Sequence, residues 1–216
     1  MQIARLLAIR HGETAWNAGG RLQGHLDIAL NDTGRLQAER LAQALVGREP
    51  LDAIYTSDLV RAHDTALALA EATGAPLTVH AGLRERCFGD FQGLTFDEVT
   101  QQAPDAAARW RRREPDWTPP GEGGESLLIF QERVAQTVQA LAAQNTGKLI
   151  AIVTHGGVLD VLYRAAARLG LQDARTWQLT NTAVNRLLWS PDSGLSLVGW
   201  ADVSHLEDVS LDESTT

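Results

Sequence analysis

The chain has 216 residues, 44% hydrophobic and 21% charged, with a formal net charge of −8. That length suits one α/β domain with a core of its own, and the acidic balance argues against a nucleic-acid binder, which would carry a basic surface. The single cysteine, Cys87, rules out an intrachain disulfide and argues against a metal site built on thiolates. No apolar stretch approaches the ~20 residues of a membrane span. The N-terminal apolar run is too short for a signal peptide and lacks a cleavage pattern. A cytoplasmic enzyme or binding protein is expected, with no membrane partner; a homodimer is left open.

In chain order, residues 3–9 predict a buried strand that ends in Arg10, His11, Gly12 and Glu13. The stretch LNDTGRLQAERLAQALVG predicts a helix, with Asp32 or Thr33 as its cap, Leu36, Leu41 and Leu45 at helical spacing, and Gly47 closing it. Residues 51–57 predict a second strand, 58–74 an Ala-rich helix and 76–80 a third strand. Residues 83–125, with Trp110, Trp117, Arg111 to Arg113 and TPPGEGG, predict an inserted lid of short helices and loop. An amphipathic helix over 125–144 leads to a further strand, KLIAIVTHGG, and a helix to about Gly170. Residues 184–200 predict a hairpin turned by PDSG. This alternation argues for helices packed on a largely parallel sheet. A single domain is expected over 1–204, followed by a disordered acidic tail over 205–216.

Two of these strands share an ending. LLAIRHGE and IAIVTHGG each run from apolar residues into His-Gly, with a helix expected next. In an open parallel sheet, ligands bind beyond the carboxyl ends of the strands, so His11 and His155 can meet at one sheet edge. YTSDLVRA adds Arg61, in the first turn of a helix that starts at the same edge. Two histidines and two arginines around one hole, in an acidic protein, suit a phosphate. Arginine forks match phosphate oxygens, and helix N-termini offer free N–H groups to an anion. A metal suits the hole poorly, because the arginines would repel a cation. Taken singly, His155 reads as a bonded core histidine and Arg61 as a solvated helix residue; the combination carries the argument. His25, His63, His80 and His205 read as ordinary surface or structural residues.

RHGET with Asn17, SDLVRAHDTA, LRERCFGDFQG and VTHGG, in that order, resemble the histidine phosphatase superfamily, in the branch of the phosphoglycerate mutases and their phosphatase relatives. The resemblance spans about residues 3–200. It implies a three-layer α/β/α fold with a mixed, mostly parallel sheet carrying an antiparallel strand near its C-terminal end. It implies that His11 is the nucleophile and Glu85 the acid that protonates the leaving oxygen and then activates water. Arg10, Arg61 and His155 would hold the phosphoryl oxygens, joined by Asn17, Gln23, Gly24 and Gly156 around the phosphate. A metal or organic cofactor is not needed, and the expected partner is a small phosphorylated metabolite. The resemblance also bears on the reaction: WRRREPDWTPP resembles the mutase segment whose arginines bind the substrate's carboxylate, and two features weigh the other way. Mutases carry a lysine shortly after the QGL turn, where this chain has Phe96, and a long insertion after the prolines, where GEGGES leads directly into a helix. The reading is a phosphatase of small phosphomonoesters, with a phosphoglycerate mutase as the alternative.

Overall fold

The computed structural model describes residues 3–48 and 50–207. Six strands form one sheet: β1 (Ala4–Arg10), β2 (Ala53–Thr56), β3 (Leu77–Val79), β4 (Leu149–Thr154), β5 (Val184–Ser190) and β6 (Gly194–Asp202). Their order is β3-β2-β4-β1-β5-β6. The first four in that order run parallel; β5 lies antiparallel to β1, and β6 antiparallel to β5. The expected antiparallel element near the C-terminal end is therefore the β5–β6 hairpin, which turns at Gly194 with φ +65°.

Alternation along the central strands builds the layers. On β1, Ala4, Leu6 and Ala8 face one core, while Leu7 and Ile9 face the other. All of β4 is buried, as expected of a central parallel strand covered on both faces. Helices α6 (Leu127–Gln144) and α7 (Gly156–Ala167) cover the first face through Phe130, Val134, Leu159 and Leu162. Helices α2 (Asp32–Leu45) and α3 (Val60–Thr73) cover the second through Leu41, Leu45, Ala66 and Leu69. A single helical turn, α1 (Ala15–Ala18), lies between β1 and α2. The result is a three-layer α/β/α sandwich. The chain leaves β1 for the α2–α3 face and leaves β4 for the opposite face, so a crevice opens between these two neighbouring strands.

Between β3 and α6 the expected lid contains 3-10 turns at Ala81–Leu83 and Gly89–Phe91 and two short helices, α4 (Phe96–Gln102) and α5 (Pro104–Arg111). It has a small core of its own, in which Phe91, Val99, Ala107 and Trp117 are buried against Phe88, Phe96 and Trp110.

Several local expectations are corrected. Asn31, not Asp32 or Thr33, caps α2: its side chain accepts from the Gly34 N–H at 2.7 Å. Leu36, assigned to the buried face by its spacing, is 49% exposed, because Gly34, Ala38, Leu41, Ala42 and Leu45 form that face. The helix ends at Leu45 with Val46 as its C-cap, and Gly47 closes it as expected, just past the cap with φ +72°. At the other end of the chain, Ser204–Leu206 form a 3-10 turn; Arg40 donates to the Leu206 carbonyl, and the His205 ring lies 3.2 Å from the Thr182 hydroxyl. The chain thus packs onto the body past residue 204, where a disordered tail was expected; residues 208–216 lie outside those described. No helix among the described residues is long and apolar enough to cross a membrane.

Candidate active site

The register of β1 and β4 pairs Arg10 with Thr154, so the next residue on each strand is a histidine. The His11 N–H donates to the Thr154 carbonyl at 2.9 Å, which keeps the two strands in step to that point. The rings of His11 and His155 lie 5.2 Å apart, and both residues are buried. Gly12 follows because nothing larger fits: a Cβ there would overlap the Gly34 carbonyl of α2.

His11 Nδ1 lies 2.7 Å from the Gly12 carbonyl. A carbonyl only accepts, so Nδ1 carries the proton and Nε2 is left bare. Burial pushes the His11 ring well below the usual imidazole range, and the charges of Arg10 and Arg61 push in the same direction. His155 is lowered well below that range by burial, then by Arg61, His11 and Arg10. Two neutral histidines thus sit beside two arginines.

Arg61 rises from the first turn of α3 and is buried. It donates to the Gly24 carbonyl at 2.7 Å and the Leu26 carbonyl at 2.9 Å, and its Nε has no partner among the described residues. Burial lowers its pKa to about 10, so it stays cationic at neutral pH. Arg10 donates to the Leu179 carbonyl, and its Nε likewise lacks a partner. So do both ring nitrogens of His155. Buried donors held without partners and close to one another are what an anion would satisfy. The Thr65 hydroxyl ties this group together, accepting from the Gly12 N–H at 3.0 Å and donating to the Arg61 carbonyl at 2.8 Å.

Glu85 enters from the lid. Its Oε1 accepts from the Arg86 N–H at 2.8 Å and its Oε2 from the Gly157 N–H at 3.0 Å, at the start of α7. The adjacent arginines do not claim it: Arg84 pairs with Asp58, and Arg86 donates to the Glu125 carbonyl. Its backbone is pinned as well, since the Glu85 carbonyl lies 2.7 Å from His25 Nε2 and accepts from Arg133 at 3.2 Å. Arg133 is in turn paired with Glu125 at 2.8 Å.

The remaining expected residues lie in the segments beside His11, Arg61 and α7. Gly156 opens α7; a Cβ on it would sit 3.6 Å from Arg10 Nε. Gly24 contributes its carbonyl to Arg61 and adopts φ +53°. Gln23 is buried, with Oε1 3.0 Å from the Thr14 hydroxyl. Asn17 completes a capping box with Thr14, and its Oδ1 lies 3.5 Å from Asn181 Nδ2. The sequence reading missed Asn181, which donates to the His11 carbonyl at 2.8 Å. It also missed Arg133, whereas His25 has the structural part that its sequence reading allowed. Asn181 and Arg133 depend on contacts between residues far apart in the chain, which leave no local pattern.

The arginine run divides. Arg111 lies over the Phe96 ring and donates to the Thr100 hydroxyl, and Arg112 pairs with Glu114. Only Arg113 turns inward, where it pairs with Asp160 at 2.9 Å and lines a cavity beside Glu85. Among the described residues, no group of three or more His, Cys, Asp or Glu side chains could hold a metal.

The profile of the Histidine phosphatase superfamily (branch 1) matches residues 6–203. The chain belongs to that superfamily. A phosphoglycerate mutase-like protein of Arabidopsis thaliana is 38% identical over 209 residues, 95% of this chain and 88% of the relative. A glucosyl-3-phosphoglycerate phosphatase of Mycolicibacterium vanbaalenii is 42% identical over 178 residues, 79% of this chain and 76% of the relative. Among solved structures, a phosphoserine phosphatase of Entamoeba histolytica in complex with 3-phosphoglyceric acid superposes with a TM-score of 0.82. It is 29% identical, and the match covers 94% of this chain and 100% of that one.

Proposed function

We propose that this histidine phosphatase hydrolyses small phosphomonoesters without a metal, through a phosphohistidine on His11. The observation that carries the reading is the state of His11. Burial and the neighbouring Arg10 and Arg61 keep the ring neutral, its Nδ1 is tied to the Gly12 carbonyl, and its Nε2 is left bare beside those arginines and the His155 ring. Nε2 attacks phosphorus while the arginines and His155 stabilise the charge on the equatorial oxygens. Glu85 gives its proton to the leaving alkoxide. In the second step it takes a proton from water, which attacks the phosphohistidine and releases inorganic phosphate. The bond to the ester oxygen breaks in the first step and the bond to His11 in the second, so the enzyme returns to its starting state. In this mechanism the positive charge a metal would bring comes from Arg10 and Arg61.

Hydrolysis rather than isomerisation is supported by the lid. Arg111 and Arg112 are occupied outside the cavity, and Phe96 is held by Arg111 and Trp110 in the lid core. Cytoplasmic residence is part of the proposal, on the strength of the single thiol Cys87.

The test is turnover of p-nitrophenyl phosphate, O-phosphoserine and 3-phosphoglycerate in EDTA. Release of inorganic phosphate, undiminished by the chelator and absent in His11→Ala, is expected. Conversion of 3-phosphoglycerate to its 2-phospho isomer without phosphate release would favour the mutase. Loss of activity in EDTA, restored by Mg²⁺, would contradict the mechanism.

A further inference from the structure

Next to the phosphate position lies space that a phosphate does not fill. A cavity of about 470 Å³ is lined by Arg10, Gly156 and Arg175, among others, and a second of about 190 Å³ by Glu85, Gly157, Arg113 and Arg175. Both are lined by Gly157 and Arg175, and the Glu85 carboxylate lines the smaller one. Arg175 is exposed and makes no hydrogen bond or ion pair with another described residue. Burial lowers the pKa of Arg10 and of Arg113, and the charge of Arg175 adds to both shifts, so Arg175 lies near the phosphate-gripping arginine and near the lid.

The loop that presents Arg175 is anchored on both sides. Upstream, Arg113 donates to the Leu171 carbonyl at 2.5 Å. Downstream, Trp177 is buried, stacked on Tyr163 at 4.0 Å with Arg164 over its ring at 4.8 Å. A cation on an anchored loop, aimed at an open cavity, is placed to meet an anion. The smaller cavity also holds Arg86, which is 5% exposed and has a buried Nη2 without a partner among the described residues. Its other walls include the carboxylates of Glu85 and Asp160. A second dianionic phosphate would be repelled there more strongly than a singly charged carboxylate.

Resting on the phosphatase reading above, we propose that Arg175 is a specificity-determining residue that binds a carboxylate carried by the substrate on the carbon skeleton next to its phosphoester. The preferred substrates are then small phosphomonoesters of hydroxy or amino acids.

The test compares O-phosphoserine with O-phosphoethanolamine, which differ only by the carboxylate. Wild-type protein should prefer O-phosphoserine in kcat/KM, and Arg175→Gln should reduce that preference by about tenfold or more, the loss of one charge-assisted contact. Arg175→Lys should keep part of it. Equal losses on both substrates, or a preference that Arg175→Gln leaves intact, would overturn the assignment. His11-dependent turnover of p-nitrophenyl phosphate separates the two levels. If that turnover is present and the preference does not change, only the role of Arg175 falls. If it is absent, the phosphatase reading falls and takes this inference with it.

Discussion

At the scale of the residue, the adjacent pair Arg10–His11 has a physical logic. Two cationic side chains would repel each other, but burial and the two arginines keep His11 neutral, so the pair is one cation and one base. Glu85 is the other half of the chemistry. Its two backbone donors and the pinned carbonyl fix where the carboxyl group points. Glu85→Gln should therefore slow hydrolysis of an alkyl phosphate by roughly 10² to 10⁴, the usual contribution of a positioned acid, and slow p-nitrophenyl phosphate far less, since its leaving group hardly needs a proton. Equal losses on both substrates would remove the acid role from Glu85. The histidines, Arg10 and Arg61 were legible in the sequence because each sits where a strand ends or a helix begins. Asn181 and Arg133 were not, because a loop asparagine and one arginine on a long helix carry no signal until the fold brings them to His11 and Glu85.

At the scale of the element, the site depends on where α7 begins. Gly157 gives its N–H to Glu85, and a Cβ at this position would overlap Glu85 Oε1. Gly157 is the second residue of the helix, and the same Cβ would press on the buried Phe130 ring at 3.2 Å. Gly157→Ala should thus lower kcat about tenfold or more, because the carboxyl group is displaced, with at most a modest fall in the melting temperature. A fall in stability with activity retained would show that Glu85 is not held by this turn. Helix ends were the least legible elements: Asn31, Asp32 and Thr33 can all cap, and only the observed backbone selects Asn31. The lid was legible as aromatic-rich but not in its pairing. That Trp110 packs on Phe88 and Phe96, while Arg113 turns inward to Asp160, is set by tertiary contacts alone.

At the scale of the whole molecule, burying neutral histidines makes stability depend on pH. In the unfolded chain His11 and His155 take up protons near pH 6.5; in the folded protein burial delays that to well below 6.5, and His205 shifts in the same direction. Below about pH 6.5 the unfolded state therefore binds more protons, and stability falls as pH falls, by up to about 1.4 kcal/mol per pH unit for each fully shifted ring. Urea unfolding should show a lower midpoint at pH 5.5 than at pH 7.5, with His155→Asn losing less over that interval. A midpoint unchanged or raised at pH 5.5 would contradict the burial of neutral rings. The α/β class and the strand order's consequence, two His-Gly ends side by side, followed from apolar runs alternating with helical periods. The place of Arg175 in the walls of both cavities did not, since it needs three segments distant in sequence.

The central claim is a covalent phosphoryl group on His11. The most direct measurement is rapid mixing with O-phosphoserine or p-nitrophenyl phosphate, quenching in alkali to preserve phosphohistidine, and peptide mapping by mass spectrometry. One phosphoryl group should appear on the peptide containing His11 within a single turnover, and should be absent in His11→Asn. A phosphoryl group on His155 instead, or wild-type turnover with no labelled histidine at any time point, would contradict it.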